Sequence, residues 1–132
     1  MGRSRLRKIL LVDDEPDIRL VLALALRETL AIEVVAMPTV IDAFAYLQTH
    51  TLPDVIVLDR NMPDVDGLAA CQQLRAHPRY RDIPVVFLSA QDHHDDVCEV
   101  MAAGATAYLS KPFDPMTVGQ EILAAVGYGD NP

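Results

Sequence analysis

The sequence predicts one α/β domain, a five-stranded parallel β-sheet with helices on both faces. Short, unbroken apolar runs rich in β-branched residues recur five times, and each is followed by a stretch that reads as helix. That alternation is the signature of a parallel sheet covered on both sides, and runs without polar alternation suit strands buried on both faces. Size agrees. At 132 residues and 51% hydrophobic composition, the chain is long enough for a single core that needs neither disulfides nor a structural metal.

Strands are expected near residues 8–12, 32–36, 55–58, 84–88 and 106–109. The first helix begins at Pro16, whose missing N–H is harmless in a first turn, and runs to about Leu30. The second follows Thr39, with Asp42 three residues on as an approximate capping box. The third runs from about Gly67 to His77, where Pro78 forbids continuation. The fourth follows Asp92 and stops at Gly104, a left-handed cap. The fifth takes Asp114 as N-cap and Pro115 as its first residue and reaches about Val126. The architecture expected is a flavodoxin-like doubly wound (βα)5 sandwich over residues 8–126. Residues 1–7 form a basic tail, and residues 127–132 a short C-terminal tail with no output domain.

Net charge is −8 and unevenly spread. Arg3, Arg5, Arg7 and Lys8 supply four of the eleven basic side chains, so the rest of the chain sets seven against nineteen acidic groups. Such a body argues against direct nucleic-acid binding, which depends on neutralising phosphates. The basic segment reads as a solvated, frayed terminus. Cys71 and Cys98 show no metal-site or redox spacing and are expected as buried helix residues. The run Leu20–Leu26 is too short to span a bilayer, and no signal peptide is apparent. A reduced, cytoplasmic protein is expected.

Function is written at the strand ends. Asp13-Asp14 follows Ile9–Val12, Asp59 follows Val55–Leu58, Ser89 follows Val85–Leu88, and Lys111 comes two residues after Tyr108-Leu109. In an open α/β sheet these positions converge on one crevice outside the carboxyl ends of the strands. Carboxylates a few Å apart repel by roughly 4 kcal/mol per pair at an effective dielectric near 20, so the cluster either raises a pKa or recruits a cation. An all-oxygen site with few protein ligands suits Mg²⁺. A carboxylate held there can attack phosphorus, with charge on the phosphoryl oxygens met by metal, by the Lys111 ammonium and by the Ser89 hydroxyl. Asp59 is the expected nucleophile.

The segments Leu11–Pro16, Leu58–Gly67, Leu88–Ala90 and Tyr108–Phe113 resemble the receiver (CheY-like) domain of two-component response regulators, over about residues 8–126. The resemblance implies that Asp59 accepts a phosphoryl group from a sensor histidine kinase or histidine phosphotransfer protein. It implies Mg²⁺ on Asp14, Asp59 and the backbone carbonyl of Asn61, with Asp13 acting through metal-bound water, and a cis peptide at Lys111–Pro112. It further implies that Tyr108 swings inward as the Ser89 hydroxyl moves to the phosphoryl group, and that Asn61 and Gln91 flank the path of water and tune the phosphoryl lifetime. The only chemistry expected is on the chain itself. Its surface of fourth helix, fifth strand and fifth helix, which Ser89 and Tyr108 border, is expected to bind a downstream protein target.

Duller readings exist for single residues. Asp13-Asp14 suits a helix N-terminus, Asp64 and Asp66 suit a Pro/Gly turn, and His93 and His94 suit an exposed first turn with no third ligand at metal-site spacing. Haloacid-dehalogenase-like phosphatases also use a strand-end Asp, but they carry a second Asp two residues on, where this chain has Asn61. A phosphorylation-independent interaction module is disfavoured because no site position is missing. A receiver fragment of a longer regulator remains an alternative to a stand-alone protein.

Overall fold

The computed structural model describes residues 6–60, 62, 67–89 and 94–127. Ten elements alternate: β1 (Lys8–Val12), α1 (Pro16–Leu30), β2 (Glu33–Met37), α2 (Val40–Thr49), β3 (Val55–Asp59), α3 (Gly67–Ala76), β4 (Val85–Ser89), α4 (His94–Ala102), β5 (Ala107–Ser110) and α5 (Val118–Ala125). All strand pairs are parallel, in the order β2-β1-β3-β4-β5. The chain therefore winds outward from β1 to β2, then returns to the other side of β1 for the remaining three strands. The point of reversal lies between β1 and β3, where a doubly wound sheet opens its crevice.

Alternation along the strands divides the core in two. Ile9, Leu11, Val55, Val57, Val86 and Leu88 pack with α1 and α5 on one face. Leu10, Ile56, Leu58, Val85 and Phe87 pack with α2, α3 and α4 on the other. Among the described residues, no helix is long and apolar enough to cross a membrane.

Local signals set most boundaries. Pro16 opens α1, and the Thr39 hydroxyl accepts from the Asp42 amide at 3.0 Å to cap α2. Several ends differ from expectation. Strands β2, β4 and β5 lie one residue later, and β3 runs one residue further, so Asp59 and Ser89 are the last residues inside their strands, paired in register with Leu88 and Ser110. The fifth helix starts at Val118 rather than Pro115. Asp114 still caps, its Oδ1 accepting from the Met116 amide at 2.9 Å, but it caps a separate turn. Thr117, at φ −120° and ψ −13°, departs from helical geometry and delays the helix.

The basic tail also ends earlier than expected. Leu6 is buried in the α1/α5 core, and Lys8 is buried rather than solvated. Its ammonium donates to the Thr51 carbonyl and hydroxyl at 2.9 and 3.0 Å and sits 4.7 Å over the Tyr46 ring. Cys71 is buried as expected; Cys98 is exposed.

Gly104 closes the turn after α4 at φ +103°, and an added Cβ would lie 2.7 Å from Arg75 Cγ. Arg75 itself donates from Nε to the Gly104 carbonyl at 2.8 Å and from Nη1 to the Ile83 carbonyl at 2.7 Å. Gly104→Ala is therefore predicted to destabilise the fold by about 1–3 kcal/mol, through left-handed strain and displacement of this arginine. Urea denaturation checks it, and an unchanged midpoint would contradict the geometry.

Candidate functional site

Three charged side chains meet at the carboxyl ends of β1, β3 and β5. Asp13 follows β1, Asp59 ends β3, and Lys111 follows β5. Continued alternation carries all three toward the α1/α5 side of the sheet, in step with Leu11, Val57 and Leu109. Lys111 Nζ lies 3.3 Å from Asp59 Oδ1, 3.6 Å from Asp13 Oδ2 and 3.6 Å from Glu15 Oε1. Asp13 and Asp59 are 0% and 1% exposed, and the Lys111 side chain 14%. The Lys111 amide donates to the Ser89 carbonyl at 2.7 Å, which fixes the loop after β5 against the end of β4. The Lys111–Pro112 peptide is cis.

Asp13 is held from several sides. Its Oδ1 accepts from the Glu15 amide at 2.9 Å, its carbonyl accepts from Arg19 Nη1 at 2.7 Å, and its amide donates to Met37 across the sheet at 3.2 Å. Burial nevertheless pushes its pKa up to about 6. The Glu15 amide opposes the shift, Asp59 adds to it, Lys111 opposes it and Glu15 adds. For Lys111, burial alone would lower the pKa. The carboxylates of Asp13, Asp59 and Glu15 outweigh it, so the ammonium titrates above its usual range.

One carboxylate oxygen each from Asp13, Asp14 and Asp59 can be chosen so that all lie within 4.8 Å of one another. Asp13 Oδ2 and Asp14 Oδ1 are buried with no hydrogen-bond partner among the described residues. Buried carboxylate oxygens without donors, in an all-oxygen cluster served by one ammonium, fit a hard divalent cation. Ser89 is buried at the end of β4. Tyr108 is half-buried on the opposite face of the sheet from Lys111, packed against the core beneath α3 and α4. Asn61, Asp64, Asp66, Gln91 and His93 lie outside the described residues, as does the side chain of His94.

Two site contacts went unread in the sequence. Glu15 joins the Lys111 cluster, signalled only by its place after the acidic pair. Arg60, next to Asp59, reaches α4, where Nη2 stands 3.2 Å from Glu99 Oε1. No sequence pattern announces a pair 39 residues apart.

Fold and site define an acidic strand-end crevice on a doubly wound sheet, the architecture of a signalling receiver. Residues 9–123 match the family described as response regulator receiver domain, and the chain belongs to that family. It is 40% identical over 107 residues to the response regulator Rre1 of Synechocystis sp., covering 81% of this chain but 46% of that protein. The chain thus spans about half the length of that curated relative. Among solved structures, a response regulator from Chloroflexus aurantiacus is similar with a TM-score of 0.84 at 29% identity, covering 92% of this chain and 98% of that one. The Mn²⁺-bound form of the response regulator Rcp1 is similar with a TM-score of 0.78 at 26% identity, covering 96% and 99%.

The raised Asp13 pKa sets a sign for stability. Between the unfolded value near 3.8 and the folded value near 6, the folded state holds a proton that the unfolded state has lost, so this group's contribution is full below pH 3.8 and is lost as pH rises through 6. In chelator, Asp13→Asn is predicted to stabilise the protein above pH 6 by on the order of 1–3 kcal/mol and to have little effect near pH 4. Denaturant melts at both pH values check this. A pH-independent difference would contradict it. In Mg²⁺ the advantage of the substitution is expected to shrink.

Proposed function

We propose that this chain accepts a phosphoryl group on Asp59 from the phosphohistidine of a sensor histidine kinase or histidine phosphotransfer protein, and relays the event to a downstream protein target. The observation that carries this reading is the Lys111 ammonium, 3.3 Å from Asp59 Oδ1 in a crevice that also holds Asp13 and Asp14. In the transfer, an Asp59 carboxylate oxygen forms a bond to phosphorus as the P–N bond to the donor imidazole breaks. The imidazole leaves with the electron pair of the P–N bond, and because its other ring nitrogen carries a proton in the reacting phosphohistidine, it departs as the neutral base. Lys111 balances charge that builds on the phosphoryl oxygens, and Ser89 offers a hydroxyl to one of them. Burial keeps competing water from the carboxylate.

Asp13, Asp14 and Asp59, with the backbone carbonyl of Asn61, are the residues that would hold Mg²⁺. When bound, the cation supplies positive charge against both the acidic cluster and the phosphoryl oxygens. That the similar regulator Rcp1 has a Mn²⁺-bound form supports a divalent ion for this crevice.

A groove of about 550 Å³ opens beside Lys111, lined by Ile18 and Val21 of α1 and by Phe113 and Pro115. Its apolar walls suit a donor protein that must bring its histidine to the crevice. On the far side, Ser89 leads toward α4, and Tyr108 lies beneath it. Movement of the hydroxyl toward Asp59 would shift a two-state equilibrium at the α4–β5–α5 surface. Asn61 and Gln91 would tune the lifetime of the acyl phosphate. The setting we infer is cytoplasmic, and the role regulatory rather than enzymatic.

Incubation with acetyl phosphate and Mg²⁺ is predicted to add one phosphoryl group by intact-protein mass spectrometry. Asp59→Asn should abolish the addition, and Lys111→Ala should slow it by at least about tenfold, as loss of a charge stabilising the transition state requires. Full labelling of the Asp59→Asn protein would refute the assignment.

A further inference from the structure

Arg60 occupies a position that the proposed chemistry leaves unused. Its amide donates to the Leu88 carbonyl at 2.9 Å, which locks the residue after the acceptor against the end of β4. Its side chain is only 16% exposed and crosses to α4, where Nη2 meets Glu99 Oε1 at 3.2 Å. Glu99 is 58% exposed and precedes Val100, which anchors α4 in the core. Helix α4 is thus held at its middle, through an ion pair, by the residue beside Asp59.

We propose that the Arg60–Glu99 pair is an electrostatic catch that holds α4 in the unmodified chain and is released when Asp59 is charged. The inference rests on Asp59 as acceptor. Replacing a carboxylate by an acyl phosphate adds about one negative charge and three acceptor oxygens one residue from Arg60. Guanidinium groups favour phosphate oxygens, and the same added charge repels the Glu99 carboxylate. The modified state therefore competes for the cation that α4 uses in the unmodified state. A contact present in one state and weakened in the other biases the equilibrium between them by its own free energy, and that bias appears reciprocally in ligand affinity. Partly exposed ion pairs are individually weak, which suits a catch that must open.

The test is a double-mutant cycle read by beryllofluoride affinity in saturating Mg²⁺. Glu99→Gln is expected to raise the affinity about two- to fivefold, the range a partly exposed pair supports. In an Arg60→Gln background, the same Glu99→Gln substitution is expected to change nothing. An equal gain with or without Arg60 would show simple relief of negative charge near an anion site and would overturn the catch. So would no gain in either background. Thermal melts of each variant confirm folding, and Glu99, exposed on α4, tolerates substitution. Failure of the parent chain to bind beryllofluoride at all would instead count against Asp59 as acceptor, so the two claims fail separately.

Discussion

The half-buried Lys111 ammonium between the buried carboxylates of Asp13 and Asp59 is the interaction on which the rest of the site depends. It ties the ends of β1, β3 and β5 together across the end of β4, and the Lys111 amide on the Ser89 carbonyl fixes the backbone from which it reaches. Burying such charges is unfavourable unless each finds a partner, and loss of the ammonium would strand the carboxylates around it, a loss that commonly costs about 3–5 kcal/mol, whereas Lys111 without Asp13 still has Asp59 and Glu15. A single ammonium set against three nearby carboxylates leaves the crevice short of positive charge. The raised pKa of Asp13 and the buried carboxylate oxygens that have no hydrogen-bond partner among the described residues are two signs of that deficit. A cation and a phosphoryl group are what such a crevice can use.

Sheet alternation then separates the acidic crevice from the surface proposed to read it out. Asp13, Asp59 and Lys111 continue the strand positions that face α1 and α5, whereas Ser89 and Tyr108 continue those that face α3 and α4. The groove beside Lys111 opens on the first side, next to α1. Helix α4, with its Arg60–Glu99 contact, lies on the second. A donor and a target can therefore use different faces, with the end of β4 as the link between them.

Much of this was legible in the sequence because buried parallel strands leave an unmistakable pattern. Four apolar runs ending in Asp, Asp, Ser and Lys place their polar ends at one rim whatever the register, so Asp13, Asp59, Ser89 and Lys111 could be grouped before any coordinates. Helix starts were legible where one local signal acts alone, as with Pro16 at the first position of α1 and the Thr39 cap of α2. At α5 the Asp114-Pro115 signal was real, but it capped a turn and Thr117 delayed the helix. What sequence could not reveal are pairings made by long side chains across the fold. Lys8 looked like one more tail cation until Thr51 and Tyr46 closed around it. Glu15 and Arg60 carry no pattern that names Lys111 or Glu99 as partner. Cys98 shows the same limit from the other side, since helical periodicity alone did not reveal which face of α4 it occupies.

The central claim, that the charge-deficient crevice makes Asp59 the site of an acyl phosphate, is tested most directly by chemical trapping. Borohydride reduces an aspartyl phosphate to homoserine, so the chain is treated with acetyl phosphate and Mg²⁺, reduced, digested and sequenced by tandem mass spectrometry. The account predicts homoserine at position 59 and nowhere else. Homoserine at position 13 or 14, or none in a chain that has gained a phosphoryl group, would contradict it.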